Sequence, residues 1–291
     1  MEEVTDYTGK GRLLRVSGGR GAPVLISHGT FSTAETCLPL AQQIGAGRPT
    51  YIIEWRGRDI GPGRVQAFDY TALGDGEMAQ AIAYVSQRHG PVHLVAHSGG
   101  GLAMALALAR HDLRAQVRSL CVMGAQATRF YDAPWRFRMT MLAVALVGRR
   151  RGYWPVRLIN IGPCNEASGI MDEWLRWNRV RVIADDTGPL APRLAALHLP
   201  TLVLAGGGDR LIAPVEGCRD FAQMFGPRAQ LELCGTATGY SENFNHARMI
   251  RSRAAATGLW PRIADWLADH DAGVDQRPPS AYAIREAGGT A

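Results

Sequence analysis

The stretch Val92-His93-Leu94-Val95-Ala96-His97-Ser98-Gly99-Gly100-Gly101 constrains this chain more than any other. Its apolar first half reads as a buried strand, and within two residues of its end the Ala- and Leu-rich helical pattern of 100–111 begins. So abrupt a change forces the junction residue, Ser98, into a strained backbone conformation, which needs small neighbours. Ala96 and Gly100, two positions to either side, are both small. Alanine at the first of these positions departs from the usual glycine but keeps the turn open. Ser98 is therefore a candidate nucleophile held at the tip of a strand.

Around this stretch, strand-like and helix-like segments alternate. Residues 11–16, 23–27, 50–55, 92–96 and 117–123 read as strands, with helical periods over 35–44, 76–89 and 100–111 between them. From 124 to 197 the alternation stops, and the sequence predicts a helical insertion that includes 139–147 and 171–177. It resumes with strands at 199–205 and 229–234, a helix at 215–224 and a helical stretch from 246 to 269, which Pro261 restarts. This is the rhythm of an α/β fold with a mostly parallel sheet covered on both faces. The expected division is a core in two parts (1–123 and 198–270), a helical cap at 124–197, and a loosely ordered tail at 271–291 rich in Gly, Pro and charge.

Composition narrows the function classes. The net charge of +6 is carried almost wholly by arginine, since Lys10 is the only lysine. Apart from Arg149-Arg150-Arg151 the basic residues are scattered, and no nucleic-acid motif accompanies them, so nucleic-acid binding is not expected. Five widely spaced cysteines without a C-x-x-C pair suggest a reducing compartment rather than a zinc site or a redox couple. The acidic first residues lack the apolar core of a secretory signal, and the longest apolar runs fall short of a membrane span. A cytoplasmic protein with no metal and no cofactor is expected.

A serine hydroxyl needs a base to take its proton and a third group to orient that base. Asp209, in Gly206-Gly207-Gly208-Asp209 directly after a buried strand, is the candidate acid. His246, between the last strand and the last helical stretch, is the candidate base. Glu242 is a rival acid, but four residues before the base in the same loop it is read as a solvated charge. His97 adjoins the nucleophile and is expected to point away from it; the other histidines sit at strand entries, helix ends or turns. A developing oxyanion needs preorganised donors. The backbone N–H of Gly99 is one, and the second is assigned to His28-Gly29-Thr30-Phe31, with Thr30 preferred and Phe31 the alternative.

These residues together resemble the α/β-hydrolase superfamily: His28-Gly29 after a strand, Ala96-His97-Ser98-Gly99-Gly100 between strand and helix, Asp209 after a strand, and His246 before the last helix. The resemblance covers residues 11–269 and implies the α/β-hydrolase fold, with a helical cap inserted after the sixth strand. It is most similar in layout to a branch of hydrolases with a helical cap that points to no particular substrate. It implies a serine hydrolase cleaving a carboxylic ester, esterase- or lipase-like, through an acyl-enzyme on Ser98. A thioesterase or acyltransferase using the same triad is the alternative, and a cofactor-independent dioxygenase or a non-catalytic binding protein of the same fold is less favoured. A serine at 98 disfavours dehalogenase and epoxide-hydrolase chemistry, which use aspartate there.

The expected partner is a small ester or acyl substrate. Trp135, Met139, Trp174 and Trp177 are the expected pocket residues; Trp135 and Met139 belong to an apolar cap segment that also holds Phe137, Met141, Leu142, Val144 and Leu146, and Trp174 and Trp177 share the face of another cap helix. Packing of the apolar segment on the core is the favoured reading. Contact of its apolar residues and Arg149–Arg151 with a membrane surface is the less favoured one.

Overall fold

In the computed structural model, which describes residues 1–159 and 161–271 together with the backbone of 284–285, Val92–His97 is the central strand of a sheet. Numbered along the chain, the strands are β1 (Glu2–Glu3), β2 (Arg12–Ser17), β3 (Val24–Ser27), β4 (Thr50–Glu54), β5 (Val92–His97), β6 (Val117–Met123), β7 (Thr201–Gly206) and β8 (Ala229–Cys234). They lie in the order β1-β2-β4-β3-β5-β6-β7-β8. β1 and β2 pair antiparallel with their neighbours, and every pair from β4 to β8 is parallel. The backbone of Ile284–Arg285 runs parallel beside β8. Apart from these residues and Asp271, the expected loosely ordered tail lies outside the described residues.

Alternation along the strands builds two cores. Leu94 and Ala96 of β5 join Leu25, Ile53, Leu120 and Val203 on one face, covered by α2 (Ala79–His89), α3 (Gly99–Arg110) and α6 (Val215–Gln223). Val95 turns the other way with Ile26, Ile52, Cys121 and Leu204, under α1 (Ala34–Ile44) and α7 (Trp260–Asp269). A strand buried on both faces reads as a continuous apolar run, and β5 does.

Between β6 and β7 run two longer helices, α4 (Trp135–Arg151) and α5 (Ser168–Val180), with two short antiparallel strand pairs. The stretch expected as one helical run from 246 to 269 is broken. A short helix, Arg248–Arg251, gives way to a wide turn at Ala255–Leu259, and Pro261 sits in the first turn of α7, where its missing N–H costs no hydrogen bond. The helical turn Tyr70–Leu73 was not anticipated; Asp69 caps it by accepting the Ala72 N–H at 2.8 Å.

Candidate active site

At the turn from β5 into α3, Ser98 has φ 54° and ψ −126°. Such a conformation costs a non-glycine residue of order 1–3 kcal/mol. The surroundings hold it: the Ser98 N–H donates to the Met123 carbonyl of β6 at 2.8 Å, and the Ser98 carbonyl accepts the Gly101 N–H at 2.9 Å. The start of α3 is pressed onto β3. A Cβ on Gly100 would stand 2.5 Å from the His28 carbonyl oxygen, and one on Gly99 would stand 2.2 Å from Thr30 Oγ1. Ala96 is fully buried with its methyl packed in the core, so alanine fits there.

The loops after β7 and β8 bring the other two groups to this turn. They are laced together by the Gly207 N–H to the Cys234 carbonyl at 3.0 Å and the Gly208 N–H to the Phe244 carbonyl at 2.9 Å. Asp209 Oδ2 lies 2.7 Å from His246 Nδ1, and His246 Nε2 lies 2.9 Å from Ser98 Oγ. Asp209 Oδ1 accepts the Ile212 N–H at 3.1 Å. Burial works against the Asp209 charge, but the hydrogen bond and charge of His246, with the Ala213 and Ile212 N–H groups, outweigh it and hold the carboxyl below its ordinary value. With Nδ1–H donated to the carboxylate, Nε2 is left to accept the serine proton.

His97 packs against the base. Its ring lies 4.7 Å from that of His246, and its Nε2–H donates to the His246 carbonyl at 3.0 Å. Burial, then the neighbouring His246, lowers its pKa to about 3, so it is a neutral brace for the His246 loop. Glu242 forms an ion pair with Arg248, in keeping with a loop charge.

The loop after β3 places Thr30 and Phe31 differently. Phe31 has φ 62°. Its N–H donates to Glu166 Oε2 at 3.3 Å, and its carbonyl accepts the Cys164 N–H at 3.2 Å. Glu166, fully buried, also accepts from Arg58 at 2.7 Å, and Arg58 donates to the Ser32 carbonyl at 2.8 Å. An N–H committed to a buried carboxylate is not free for an oxyanion, so the Phe31 alternative is set aside in favour of Thr30. The Thr30 hydroxyl lies 2.6 Å from the Tyr70 hydroxyl. These residues enclose a cavity of about 290 Å³ whose walls include Ser98, His246, Thr30 and Tyr70.

The chain matches the model of the alpha/beta hydrolase family over residues 24–257. It belongs to that family. No curated protein is similar to this hydrolase in sequence. Among solved structures, an esterase from Thermogutta terrifontis is 19% identical with a TM-score of 0.62, covering 93% of this chain and 100% of its own. A metagenome-derived lipolytic enzyme is 15% identical, TM-score 0.62, over 90% and 99% of the two chains. A putative aryl esterase from Burkholderia cenocepacia is 16% identical, TM-score 0.61, over 91% and 98%. At these identities the likeness is one of fold.

In this α/β hydrolase the cavity wall from the cap is made by Phe137 and Met141 of α4 and Met171 and Trp174 of α5. Of the four expected pocket residues only Trp174 lines it, with its indole N–H donated to the Gln126 carbonyl at 3.0 Å. Trp135 and Met139 lie on the outer face of α4, exposed to solvent. Trp177 is fully buried behind the pocket, stacked on Tyr70 with ring centroids 5.6 Å apart and its N–H on the Ala184 carbonyl. Tyr70, Leu102, Gln126 and Ile212 line the cavity and were not foreseen. The Asp69 cap was a readable signal for the Tyr70 helix, but nothing local marks its side chain as a pocket wall. A larger depression of about 610 Å³ beside Arg110, Arg114 and Arg193 is open to solvent and shares no residue with the Ser98 cavity.

Proposed function

We propose that this protein is a serine hydrolase of carboxylic esters. The observation that carries the reading is that His246 is hydrogen-bonded to both Ser98 and Asp209 at the wall of a cavity. His246 Nε2 takes the proton as Ser98 Oγ attacks the ester carbonyl, and Asp209 stabilises the imidazolium that forms. The oxyanion is held by the N–H groups of Gly99, at the start of α3, and Thr30. Two hydroxyls carry two protons, and the Thr30–Tyr70 hydrogen bond uses one; the other is available as a side-chain donor at the same place. Collapse expels the alcohol with the proton from His246, and water then releases the acid by the same steps in reverse.

The described cavity wall has no carboxylate, lysine or arginine side chain, and the polar ends of Gln126 and Trp174 are occupied within the protein. A neutral, apolar acyl group of modest size suits it. The test is a chain-length panel of p-nitrophenyl esters beside matched thioesters. Turnover of short neutral oxygen esters is expected. No turnover of any oxygen ester by folded protein contradicts the reading, and faster thioester turnover transfers the triad to a thioesterase.

A further inference from the structure

The outer face of α4 is the least expected surface of the molecule. The helix buries one face, with Met141, Ala145 and Gly148 inward, as packing predicts. It is apolar on the opposite face as well. Trp135 is 63% exposed, Met139 58% and Leu146 53%, at spacings of four and seven that keep them on one side of the helix, with Val147 beside them. Further along the chain Leu158 is 78% exposed, and Ile161 is both exposed and part of the cavity wall. Isolated exposed apolar residues need no explanation, but several on one side of a helix whose other side walls the cavity do.

Charge decides between occupants. Between Asp132 and Glu166 the chain carries six arginines, at positions 136, 138, 149, 150, 151 and 157, and no acidic residue, so the excess that looks scattered over the whole sequence is concentrated here. Arg136, Arg149, Arg150, Arg151 and Arg157 are exposed, and among the described residues Arg149 alone of these five is paired with a carboxylate, Asp172. A second copy of the same face would bring like charges together. An interfacial helix has the composition seen here, with tryptophan and aliphatic side chains flanked by arginines whose stems lie along apolar surface and whose heads reach phosphate.

We propose that α4, with Arg157, Leu158 and Ile161, forms a docking face for an anionic lipid bilayer. On the ester-hydrolase reading, docking turns the cavity mouth toward lipid-borne esters; the docking itself does not depend on that reading. The test is co-sedimentation of the whole protein with vesicles of phosphatidylcholine alone and of phosphatidylcholine mixed with phosphatidylglycerol. Binding to the mixed vesicles, about 10-fold or more above binding to phosphatidylcholine and falling as salt rises, is expected. Arg150→Gln with Arg151→Gln, and separately Trp135→Gln with Met139→Gln, should each weaken it by about 10-fold while circular dichroism stays unchanged. Ser98→Ala should bind as the parent does, which separates this result from the fate of the catalytic reading. No binding to the mixed vesicles, equal binding to both kinds, or binding untouched by both double substitutions overturns the proposal. So does a concentration-dependent dimer abolished by the Trp135 and Met139 substitutions, which assigns the face to a second copy.

Discussion

Serine, histidine and aspartate are hydrogen-bonded in series at both ends of this sheet. At the carboxyl ends of the strands, His246 lies 2.9 Å from Ser98 and 2.7 Å from Asp209. At the amino ends, His93 lies 2.8 Å from Ser119 and 3.1 Å from Asp271. The distances alone barely tell them apart. What separates them is everything around the serine. Ser98 stands on a strained turn at a cavity wall, followed by an N–H at a helix start. Ser119 lies fully buried within β6, in register with His93, and the N–H after it, that of Leu120, is already donated to the Pro200 carbonyl. The nitrogens are also exchanged: Nδ1 of His246 faces the carboxylate, whereas Nδ1 of His93 faces the serine. Asp271 is further engaged by both Arg48 nitrogens, at 2.6 and 2.7 Å. A chain of hydrogen bonds becomes a reaction centre only where substrate can reach it and an oxyanion donor is free.

Substitutions at matched positions should break this likeness. Ser98→Ala should lower ester turnover by about 10³-fold or more, while Ser119→Ala leaves it within about twofold, measured as kcat/KM on a p-nitrophenyl ester. Asp209→Asn should cost about 10²- to 10⁴-fold in kcat through a misoriented imidazole. Asp271→Asn should leave kcat alone and lower the denaturant midpoint, because it loosens Arg48 and His93.

Acid should strain both ends alike. Burial is the main cause that lowers His93 to about 4 and His97 to about 3, and it holds the fully buried His28 well below the ordinary imidazole value. Below about pH 6.5 the unfolded chain takes up protons on these rings that the folded chain does not, so stability is full above that pH and falls as pH drops toward 4. Each ring contributes at most about 1.4 kcal/mol of loss per pH unit in that window. Urea midpoints at neutral and mildly acid pH check this, and His93→Asn should flatten the slope by one ring's share. Within the Ser98 site a smaller loss than at Ser98 or Asp209 is expected at Tyr70→Phe, about 10-fold in kcat with KM little changed, since two backbone donors remain. The same loss appearing in KM instead would make Tyr70 a wall and not a donor.

The sheet and the hydrogen-bonded series Ser98–His246–Asp209 were legible because both rest on local signals. Buried parallel strands are apolar runs, and Ser98 and Asp209 each follow such a run at its carboxyl end, where glycines mark the turn, while His246 lies in the loop between the last strand and the last helices. The pocket was not legible in the same way. Trp174 and Trp177 share a helix face by spacing, yet α5 is wedged between two neighbours, so one ring meets the cavity and the other lies behind Tyr70. Helix α4 is apolar on two faces, and a pattern of this kind does not say which is inward; Trp135 and Met139 were assigned to the wrong one. The hold of Glu166 on Phe31 joins residues 135 positions apart through a fully buried carboxylate, and no local pattern announces it.

The contrast between the two ends is tested most directly by intact and peptide mass spectrometry after reaction with a fluorophosphonate. The account predicts one adduct per chain, located on Ser98, absent from Ser98→Ala and unaffected by Ser119→Ala. No adduct on folded protein, or an adduct that persists in Ser98→Ala on Ser119 or elsewhere, would contradict it.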